Sequence, residues 1–369
     1  MTLLLETTFW TLIALIIYNL IGYPLILFVV TLFYKNKTNA KDVPQKVSLI
    51  IPAYNEEKEI EKKIIDSLKL NYPNLEIIIV SDGSTDNTNK ICRKYKDKIR
   101  FIEINKRGGK INALNHAVKH TKGNILFFSD ANIFYDENAI RQIVKHFNDK
   151  KVGCVTAYKR VVAKKGKHKQ GESIYNRMER FVRKRESLLS SVIHVDGAMY
   201  AMRKKLYQPL HNVYIEDFIM GMNVIKQGYR VIYETNAKNW EKSSPAIKDE
   251  FERKSRMVAG GLQSLKYTGF LIKRPLILWQ FVSHRLIRWV TAELLIAIFI
   301  LNLFLLDTLF YRATLDIQLI VYILAILGSK IKLLSVFYYF LIMQASVLNG
   351  LIRLLFKTQK VTWNKAKRV

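Results

Sequence analysis

The sequence predicts an α/β domain placed between hydrophobic helices that cross a membrane. Short apolar runs at residues 47–51, 76–80, 99–104 and 124–129 have the length of buried strands, and helical segments follow them, as in a parallel sheet. Longer apolar blocks lie near the N-terminus and in the last third of the chain. With 369 residues, the chain is long enough for one large catalytic domain and additional segments.

The chain is strongly basic, with a formal net charge of +29. Such an excess is typical of proteins that bind an anionic substrate or nucleic acid. It is also typical of proteins that face the anionic inner leaflet of a membrane, where each cation contributes about 1 kcal/mol. Because apolar blocks lie at both ends, we favour the leaflet. Cys92 and Cys154 lack a metal-binding spacing, which predicts two buried, reduced thiols.

The first apolar block, residues 9–34, carries no charge and predicts a transmembrane helix. About 20 such residues cross a bilayer core of about 30 Å. A signal peptide is disfavoured, because no basic residue precedes the block and no small-residue cleavage site follows it. Lys35, Lys37, Lys41 and Lys46 follow the block, so the positive-inside rule predicts an external N-terminus and a cytoplasmic catalytic domain.

Polar residues follow the first two predicted strands. Pro52, Tyr54 and Glu56 come after the first strand, and Asp82 comes at the end of the second. Open α/β sheets bind ligands at the carboxyl ends of their parallel strands. A turn with a helix cap is the alternative for this second segment. Capping explains Asp86 but leaves Asp82 unexplained.

The next two strands also end in residues suited to a nucleotide. Gly108 and Gly109 precede Lys110 at a predicted helix start, where backbone N–H groups and the helix dipole favour a phosphate, although the spacing differs from a Walker loop. Asp130 and Asn132 follow the fourth strand. A hard cation that bridges a diphosphate requires oxygen ligands of this kind, with substrate phosphates and water supplying the others.

Glu216 and Asp217 stand just before a predicted helix at residues 218–227. The helix dipole stabilises a carboxylate in this position. We therefore expect Asp217 to stay deprotonated at neutral pH and to be able to accept a proton as a general base. The alternative is that both acids only cap the helix.

Three further segments lie between residues 164 and 202. Residues 194–202 are apolar but are interrupted by Asp196, Gly197 and Ala198. His194 receives no role, since a lone histidine is more often structural than catalytic. The basic segments at residues 164–169 and 172–189 predict a solvated loop and a helix, with an acceptor surface as the alternative for the helix.

These motifs, in this order, resemble family 2 glycosyltransferases of the GT-A fold, a Rossmann-like architecture. The resemblance is to the membrane-embedded branch that includes cellulose, poly-N-acetylglucosamine and hyaluronan synthases, and it covers most of the chain. The motifs that carry it are Ile51-Pro52-Ala53-Tyr54-Asn55-Glu56, Asp82-Gly83-Ser84-Thr85-Asp86, Gly109-Lys110-Ile111-Asn112-Ala113-Leu114-Asn115, Asp130-Ala131-Asn132 and Glu216-Asp217.

For the donor, the resemblance implies a nucleotide-sugar, with a UDP-sugar favoured. Tyr54, Glu56 and Asp82 would contact the nucleobase, and Pro52 belongs to the same motif. Lys110 would lie near the ribose and the phosphates.

For the metal, the resemblance implies Mg²⁺ or Mn²⁺. Asp130 would contact the ribose or the metal. Asn132 stands where the family usually has a second metal-binding aspartate, so metal affinity is expected to be lower unless Asp136 contributes.

For the acceptor, the resemblance implies a pocket lined by Asp196, Gly197 and Ala198. The family's polymerising synthases carry Gln-x-x-Arg-Trp on a later helix, here predicted over residues 247–268. Arg256 matches its arginine, while Arg253 replaces the glutamine and Met257 replaces the tryptophan that lies under the acceptor sugar. Arg253 and Arg256 share a helix face and are predicted to neutralise the leaving diphosphate.

The C-terminal third predicts an amphipathic helix in the membrane interface at residues 266–288, with an ordinary domain helix as the alternative. Residues 289–310 and 331–356 are long enough to cross, whereas residues 317–327 are short. Three crossings are favoured, because the short segment can extend back through the preceding loop, and two crossings with a re-entrant segment are the alternative. The domains predicted from these boundaries are an N-terminal transmembrane helix (1–40), a catalytic domain (41–265), the interface helix (266–288) and a C-terminal membrane region with a basic tail (289–369).

The sequence therefore predicts a membrane-bound, inverting glycosyltransferase that extends a glycan or polysaccharide. One alternative is a single-sugar transferase that acts on a lipid or polyprenyl-phosphate acceptor. An alternative of another class is a non-catalytic basic membrane protein that binds lipid or nucleic acid. Nucleic acid is disfavoured as a partner, because carboxylates at several strand ends repel phosphate backbones.

Overall fold

The computed structural model describes residues 2–162, 169–211, 215–242 and 247–358. The predicted basic loop, apart from Lys169, and the predicted basic tail beyond Thr358 lie outside the described residues.

The regular elements agree with the predicted alternation of strands and helices. In chain order they are α1 (Thr2–Ile17), α2 (Tyr23–Phe33), β1 (Val47–Ala53), α3 (Ile60–Leu68), β2 (Leu75–Asp82), α4 (Thr88–Arg93), β3 (Arg100–Ile104), α5 (Lys110–Lys119), β4 (Ile125–Ser129), β5 (Ile133–Tyr135), α6 (Ala139–Val144), β6 (Val152–Val162), α7 (Lys169–Leu189), β7 (Met199–Arg203), α8 (Glu216–Lys226), β8 (Arg230–Lys242), α9 (Ile247–Gln263), α10 (Pro275–Phe281), α11 (Ile287–Trp289), α12 (Thr291–Leu303), α13 (Leu309–Leu327) and α14 (Ser335–Leu355).

The strands of the described residues form one eight-stranded mixed sheet in the order β3-β2-β1-β4-β7-β6-β8-β5. The strands β3, β2, β1 and β4 are parallel neighbours, and β7 runs antiparallel to β4 and β6. The predicted strands are near-continuous apolar runs because helices cover both faces of this half of the sheet. The parallel half brings the ends of β1, β2 and β4 to one edge.

Two buried apolar clusters hold the sheet between its helical layers. Ile51 and Phe127 belong to the cluster on one face, and Ile50 and Phe128 belong to the cluster on the other. Successive residues of a strand point to opposite faces, so these neighbouring pairs divide between the two clusters. The side chains of all four residues are buried. The predicted reduced thiols, Cys92 and Cys154, are also buried and free.

The described residues include three helices that are long and apolar enough to cross a membrane, or up to four if a bent pair counts as one span. The three are Thr2–Phe33, Leu309–Leu327 and Lys332–Leu355. A π-helical turn at Tyr18–Gly22 joins α1 to α2, so the first of them is continuous.

The C-terminal span predicted at residues 331–356 agrees with the candidate span Lys332–Leu355, whereas the bounds of the two segments before it differ. The short segment at residues 317–327 extends back to Leu309 and reaches 19 residues. The span predicted at residues 289–310 is interrupted instead: Pro275–Trp289 and Thr291–Leu303 form the bent pair, at 64°. The bend lies at Val290, whose φ of −125° and ψ of 10° leave the helical region.

The single helix predicted at residues 266–288 is also not formed. Short 3₁₀ turns occupy Ser264–Tyr267 and Gly269–Lys273, and α10 begins only at Pro275. Proline favours the first turn of a helix and disrupts a helix that runs through it, which accounts for the break. His284 and Arg285 then lie buried in a π-helical turn, Val282–Leu286.

Buried polar contacts join α7 to the candidate spans. The Tyr23 hydroxyl in α2 donates to Oε1 of Glu186 in α7 at 2.6 Å. His284 lies between two carboxylates of α7, with Nδ1 2.8 Å from Glu186 and Nε2 3.0 Å from Glu179. The helix α7 is therefore tied to the first candidate span and to the bent pair.

Candidate functional site

The loop after β1 and the loop after β2 form one cross-linked edge. Asn55, with a φ of 52°, accepts a hydrogen bond at Oδ1 from the Thr85 N–H at 2.9 Å. The N–H of Glu56 donates to Oγ1 of Thr88 at 2.8 Å. Tyr54, between β1 and Asn55, lies under the guanidinium of Arg107, 4.0 Å from its ring centroid. These contacts place an aromatic ring and polar groups where the nucleobase was predicted.

Asp82 holds the glycine loop that leads to α5. Its carboxylate accepts hydrogen bonds from the N–H groups of Gly108 at 2.9 Å and Gly109 at 2.6 Å. Gly109 adopts a φ of 90°, which favours glycine. A Cβ atom at Gly83 would lie 2.6 Å from the backbone nitrogen of Arg107, so the two loops need this close approach. Asp82 therefore fixes the turn that presents Lys110.

Lys110, the first residue of α5, connects two predicted parts of the site. Its Nζ atom lies 2.9 Å from Oδ1 of Asp130 and 2.7 Å from Oε1 of Glu216. Although burial opposes it, the carboxylates of Asp130 and Glu216 hold the pKa of Lys110 well above its usual value. Burial likewise opposes ionisation of Glu216, but Lys110 keeps the pKa of that carboxyl below its usual value. The end of β4 and the start of α8 thus share one cation.

Asp217 lies beside Glu216 and against the predicted acceptor segment. Its Oδ2 atom accepts a hydrogen bond from the N–H of Gly197 at 3.1 Å, and Oδ1 accepts one from the N–H of Phe218 at 2.8 Å. A Cβ atom at Gly197 would approach Oδ2 to 2.9 Å, so the residue at this position must be small. Both oxygens of Asp217 are therefore oriented by backbone donors.

The expectation that Asp217 is fully ionised at neutral pH was wrong. Burial and the neighbouring Glu216 carboxylate raise the pKa of Asp217 to about 7. The helix N-terminus does favour the anion, but loss of water and a like charge outweigh it here. A carboxyl with this pKa is poised to take up and release a proton near neutral pH.

The acceptor segment forms a tight turn next to this carboxyl. Oδ1 of Asp196 accepts from the N–H of Ala198 at 3.1 Å, and the N–H of Asp196 donates to Oγ1 of Thr156 at 2.9 Å. The Asp196 charge is a further influence that raises the pKa of Asp217. Asp196, Gly197 and Ala198 therefore lie beside Asp217.

The two arginines of α9 differ in their surroundings. Arg253 pairs with Glu250, at 2.7 Å for the closest atoms. Burial and the nearby Arg253 lower the pKa of Arg256, and Arg256 in turn contributes to the lowered pKa of Glu216. Arg256 thus adds positive potential on the Glu216 side of the site, whereas Arg253 is engaged within its own helix.

The donor set at the end of β4 suits a cation that is held mainly by substrate. Within the described ranges of the chain, no group of three or more His, Cys, Asp or Glu side chains is placed to bind a metal ion. Asp130 and Asn132 supply one carboxylate and one amide, and Mg²⁺ commonly uses one or two carboxylates with substrate phosphates. Oδ1 of Asp136 accepts a hydrogen bond from the N–H of Asn138 at 3.0 Å, in the turn before α6.

Two residues of this region were missed from the sequence. His194 places Nε2 3.9 Å from Oδ2 of Asp217. Lys63 in α3 is fully buried, and its Nζ donates to Oγ of Ser129 at 2.8 Å and to the carbonyl of Ile133 at 2.5 Å, on either side of the Asp130 loop. The apolar run around His194 and the charged helix around Lys63 gave no signal of these contacts.

Residues 48–210 match the model of the family described as Glycosyl transferase family 2. The matched region includes Tyr54, Asp82, Lys110 and Asp130, and it ends before Asp217. The identified motifs that precede Glu216 thus lie in the region that matches this family.

Two bacterial relatives align with more than half of this chain. Poly-beta-1,6-N-acetyl-D-glucosamine synthase of Staphylococcus aureus strain COL is 26% identical over 266 residues, which are 69% of this chain and 65% of the relative. The protein of the same name from Staphylococcus epidermidis is 25% identical over 227 residues, 59% of this chain and 55% of the relative. The chain therefore spans less than two thirds of the length of these relatives.

A solved structure matches nearly the whole chain. Mannosyltransferase PcManGT from Pyrobaculum calidifontis, in complex with GDP-Man and Mn²⁺, aligns with a TM-score of 0.72 at 20% identity. The alignment covers 95% of this chain and 99% of that chain. The likeness shows the fold and confirms the predicted GT-A architecture.

Proposed function

We propose that this chain, which carries a glycosyltransferase family 2 domain, transfers a sugar from a nucleotide-sugar to a growing glycan, with Asp217 as the general base. The observation that carries the proposal is the position of the Asp217 carboxylate. It contacts the acceptor segment through Gly197, and its neighbour Glu216 connects through Lys110 to Asp130 at the donor edge. Asp217 thus contacts the proposed acceptor segment directly and is connected to the proposed donor residues through Glu216 and Lys110.

The geometry supports an inverting displacement. As the acceptor oxygen bonds to the anomeric carbon, its proton passes to Asp217, and the electron pair of the breaking bond leaves with the nucleoside diphosphate. The ammonium of Lys110 and the guanidinium of Arg256 offset the charge that develops on the leaving group. Backbone donors fix Asp217 before the substrates arrive, which lowers the entropic barrier.

A divalent cation, Mg²⁺ or Mn²⁺, would be held by Asp130 and Asn132 together with the donor phosphates. When bound, it would supply Lewis-acid stabilisation of the diphosphate. The structure in complex with Mn²⁺ that shares this fold supports the same assignment.

A UDP-sugar is the proposed donor, on the similarity to poly-beta-1,6-N-acetyl-D-glucosamine synthases. The fold is shared with a protein in complex with GDP-Man, so GDP-mannose is the first competitor. Purified protein incubated with both nucleotide-sugars, followed by mass analysis of the product, distinguishes them. Release of nucleoside diphosphate with neither donor would contradict the assignment.

The second candidate is transfer of one sugar to a lipid or polyprenyl-phosphate acceptor. It is favoured by Met257, which stands where the polymerising synthases have an aromatic platform. A single added sugar on a lipid, at every donor concentration, would select this candidate over polymer synthesis. A basic membrane protein without catalysis remains the alternative of another class, and absence of any nucleotide release would favour it.

We further propose that the chain is a multi-pass membrane protein whose catalytic domain faces the cytoplasm. The candidate spans and the lysines after α2 support this orientation. A cysteine introduced at exposed Lys98 is expected to resist membrane-impermeant thiol reagents in intact cells. Its ready labelling would place the domain outside.

The decisive experiment for the base is Asp217→Asn. Removal of a general base typically lowers the rate by about 10²–10⁴-fold. We expect that loss in transfer, with the affinity for UDP nearly unchanged. Asp97→Asn, at an exposed position on the same domain, is the control and should retain activity. Near-full transfer by Asp217→Asn would exclude Asp217 as the base.

A further inference from the structure

His194 and Asp217 approach each other from separate segments of the chain. Nε2 of His194 lies 3.9 Å from Oδ2 of Asp217. The side chains are 14% and 20% exposed, respectively, so water is largely excluded around both. The distance is longer than a hydrogen bond, but contacts within a catalytic site are often long in the free enzyme and shorten in the substrate complex.

Two contacts hold His194, one at its backbone and one at its ring. Nη2 of Arg183 donates to the backbone carbonyl of His194 at 2.8 Å. The ring of His194 stacks against that of Phe218, with centroids 6.5 Å apart and an angle of 27° between planes. Phe218 follows Asp217 directly in α8. Adjacent residues of this helix therefore supply the phenyl ring that packs against His194 and the carboxylate that faces it.

Charged groups around the imidazole keep it neutral. Burial, together with the cations Arg285 and Arg183, holds the pKa of His194 well below its usual value. His284 acts in the same direction, and Glu179 opposes them. A neutral imidazole carries one N–H group and can donate it without adding a charge.

Asp217 faces a different set of charges. Glu216 and Asp196 raise its pKa, whereas Lys110 lowers it. The N–H of Gly197 already donates to the oxygen nearest His194. A second neutral donor to that oxygen stabilises the carboxylate further and leaves Oδ1 as the oxygen for the acceptor proton.

We propose that His194 is a positioning residue for the general base, and that Nε2–H of its neutral imidazole donates to Oδ2 of Asp217 in the acceptor-bound enzyme. The donated hydrogen bond favours the ionised carboxylate and fixes its rotation. Because the donor is uncharged, Asp217 remains basic enough to remove a proton from a sugar hydroxyl. This inference rests on the proposed function, in which Asp217 is the base.

The test is the pH dependence of kcat/KM, measured as nucleoside diphosphate release from UDP-N-acetylglucosamine or GDP-mannose, whichever supports transfer. Wild-type kcat/KM should rise with pH through about 7, the pKa of Asp217. In His194→Phe, which keeps the stacking ring and loses the donor, we expect the acidic limb to move up by about 1 pH unit. This corresponds to a roughly tenfold loss below the midpoint and recovery at high pH.

Further variants separate this role from a structural one. His194→Gln retains a neutral N–H donor and should keep a profile near that of wild type. His194→Met lacks a donor but is a smaller change than Phe, and it replaces His194→Phe if that variant does not fold. His116→Phe, on the exposed face of α5, is the matched control and should leave the profile unchanged. The KM for the donor should be unaffected in all of them.

Two results would overturn the inference. One is an acidic limb that stays in place in the folded donor-free variants. The other is a loss in His194→Gln as large as that in His194→Phe. Either result, with Asp217→Asn inactive, would reject the role of His194 alone. Full activity of Asp217→Asn would instead reject the proposed function.

Discussion

Nζ of Lys110 lies 2.7 Å from Oε1 of Glu216 and 2.9 Å from Oδ1 of Asp130, so one ammonium holds the start of α8 against the end of β4. These elements are far apart in the chain and meet only in the folded protein. The contact couples Asp130, at the proposed donor-binding end of the sheet, to the residue next to the proposed base. It also means that Lys110 balances two carboxylates that would otherwise repel each other.

The first prediction concerns this coupling. Lys110→Met should lower the melting temperature, because it leaves Asp130 and Glu216 close together without a cation. Adding Glu216→Gln should restore part of the loss, with a coupling free energy of about 1–2 kcal/mol. Transfer should remain low in both variants, since the diphosphate still lacks its cation. The measurement is a double-mutant cycle by thermal unfolding, with nucleotide release as a second readout.

The exposed pair Arg93–Glu103, at 2.5 Å, provides the matched control. The same cycle there should give a coupling of no more than about 1 kcal/mol, as is usual for surface ion pairs. Additive effects of the Lys110 and Glu216 changes would show that the ion pair contributes nothing to the fold.

The second prediction follows from the raised pKa of Asp217. A folded carboxyl with a pKa of about 7, against an ordinary value of 3.8, holds its proton where the unfolded chain has released it. Stability of the wild type should therefore fall as pH rises from about 4 to about 7, and then level off. Asp217→Asn lacks this dependence, so its melting temperature should exceed that of wild type at pH 8. The gain is a few kcal/mol at most, at about 1.4 kcal/mol per pKa unit.

Melting curves of both proteins at pH 5 and pH 8 would measure this effect. Glu216, whose lowered pKa makes it stabilising above about 4.5, acts in the opposite direction in both proteins. Because Asp217 and Glu216 interact, the difference between the two curves reports on the pair. Asp97→Asn should follow the wild-type curve. Equal melting temperatures of wild type and Asp217→Asn at pH 8 would mean that ionisation of Asp217 does not lower the free energy of unfolding.

The sequence located the polar residues at the ends of β1, β2 and β4 correctly because strand ends are a local signal. Apolar runs mark β1, β2 and β4, and the polar residues directly after them necessarily share one edge of a parallel sheet. The pKa of Asp217 had no such signal. It depends on burial and on the charges of Glu216, Lys110 and Asp196, which the helix dipole alone does not reveal.

Contacts between distant residues were also beyond the sequence. Lys63 and Ser129 are 66 residues apart, and nothing near Lys63 marks it as the buried lysine of a charged helix. The bend at Val290 was missed for a related reason, since apolar composition predicts a span but contains no information on where packing interrupts it.

The third prediction concerns the metal. Transfer should be lost in excess EDTA and recovered with Mn²⁺ or Mg²⁺. Asn132→Asp adds a negative ligand beside Asp130, so it should lower the Mn²⁺ concentration needed for half activation by roughly tenfold, because ligand charge tunes metal affinity. Titration of nucleotide release with Mn²⁺ measures this. Full activity in EDTA would exclude a requirement for the metal. An unchanged Mn²⁺ titration in Asn132→Asp would exclude Asn132 as a ligand.

The fourth prediction concerns the buried amine behind the Asp130 loop. Nζ of Lys63 bonds to Ser129 and to the Ile133 carbonyl and lies 3.8 Å from the Tyr135 ring centroid. Lys63→Met leaves both acceptors unpaired, which lowers the free energy of unfolding by about 1–3 kcal/mol for each buried group. Removal of the buried amine offsets part of this loss. We expect a several-fold weaker Mn²⁺ activation, since the loop that carries Asp130 loses its anchors.

Lys62→Met is the control for Lys63, because Lys62 is the exposed neighbour on the same helix. It should leave the Mn²⁺ titration unchanged. Burial holds the pKa of Lys63 well below its usual value, even though the Asp130 charge raises it. Stability should therefore rise with pH below about 10 in wild type, and this slope should be absent from Lys63→Met. Identical Mn²⁺ titrations for wild type and Lys63→Met would show that the amine does not organise the loop.

The last prediction tests whether the product is a polymer. Met257 lies on α9 one residue beyond Arg256, and its sulfur is 4.0 Å from Nη1 of Arg253. An aromatic ring at this position would offer the acceptor sugar a flat surface, which the flexible thioether lacks. The spans that follow α9 favour a glycan handled at the membrane, whereas Met257 favours early release. If both influences act, the wild type makes short polymers.

Met257→Trp should then lengthen the product with little change in donor turnover, as measured by mass analysis of the glycan beside nucleotide release. Met257→Leu, which removes the sulfur and adds no ring, is the control and should leave product length unchanged. The ring must displace the contact with Arg253, so some loss of turnover common to both variants is attributable to packing. A wild-type product with one sugar on a lipid, and no change in length in Met257→Trp, would refute the polymer and establish single transfer instead.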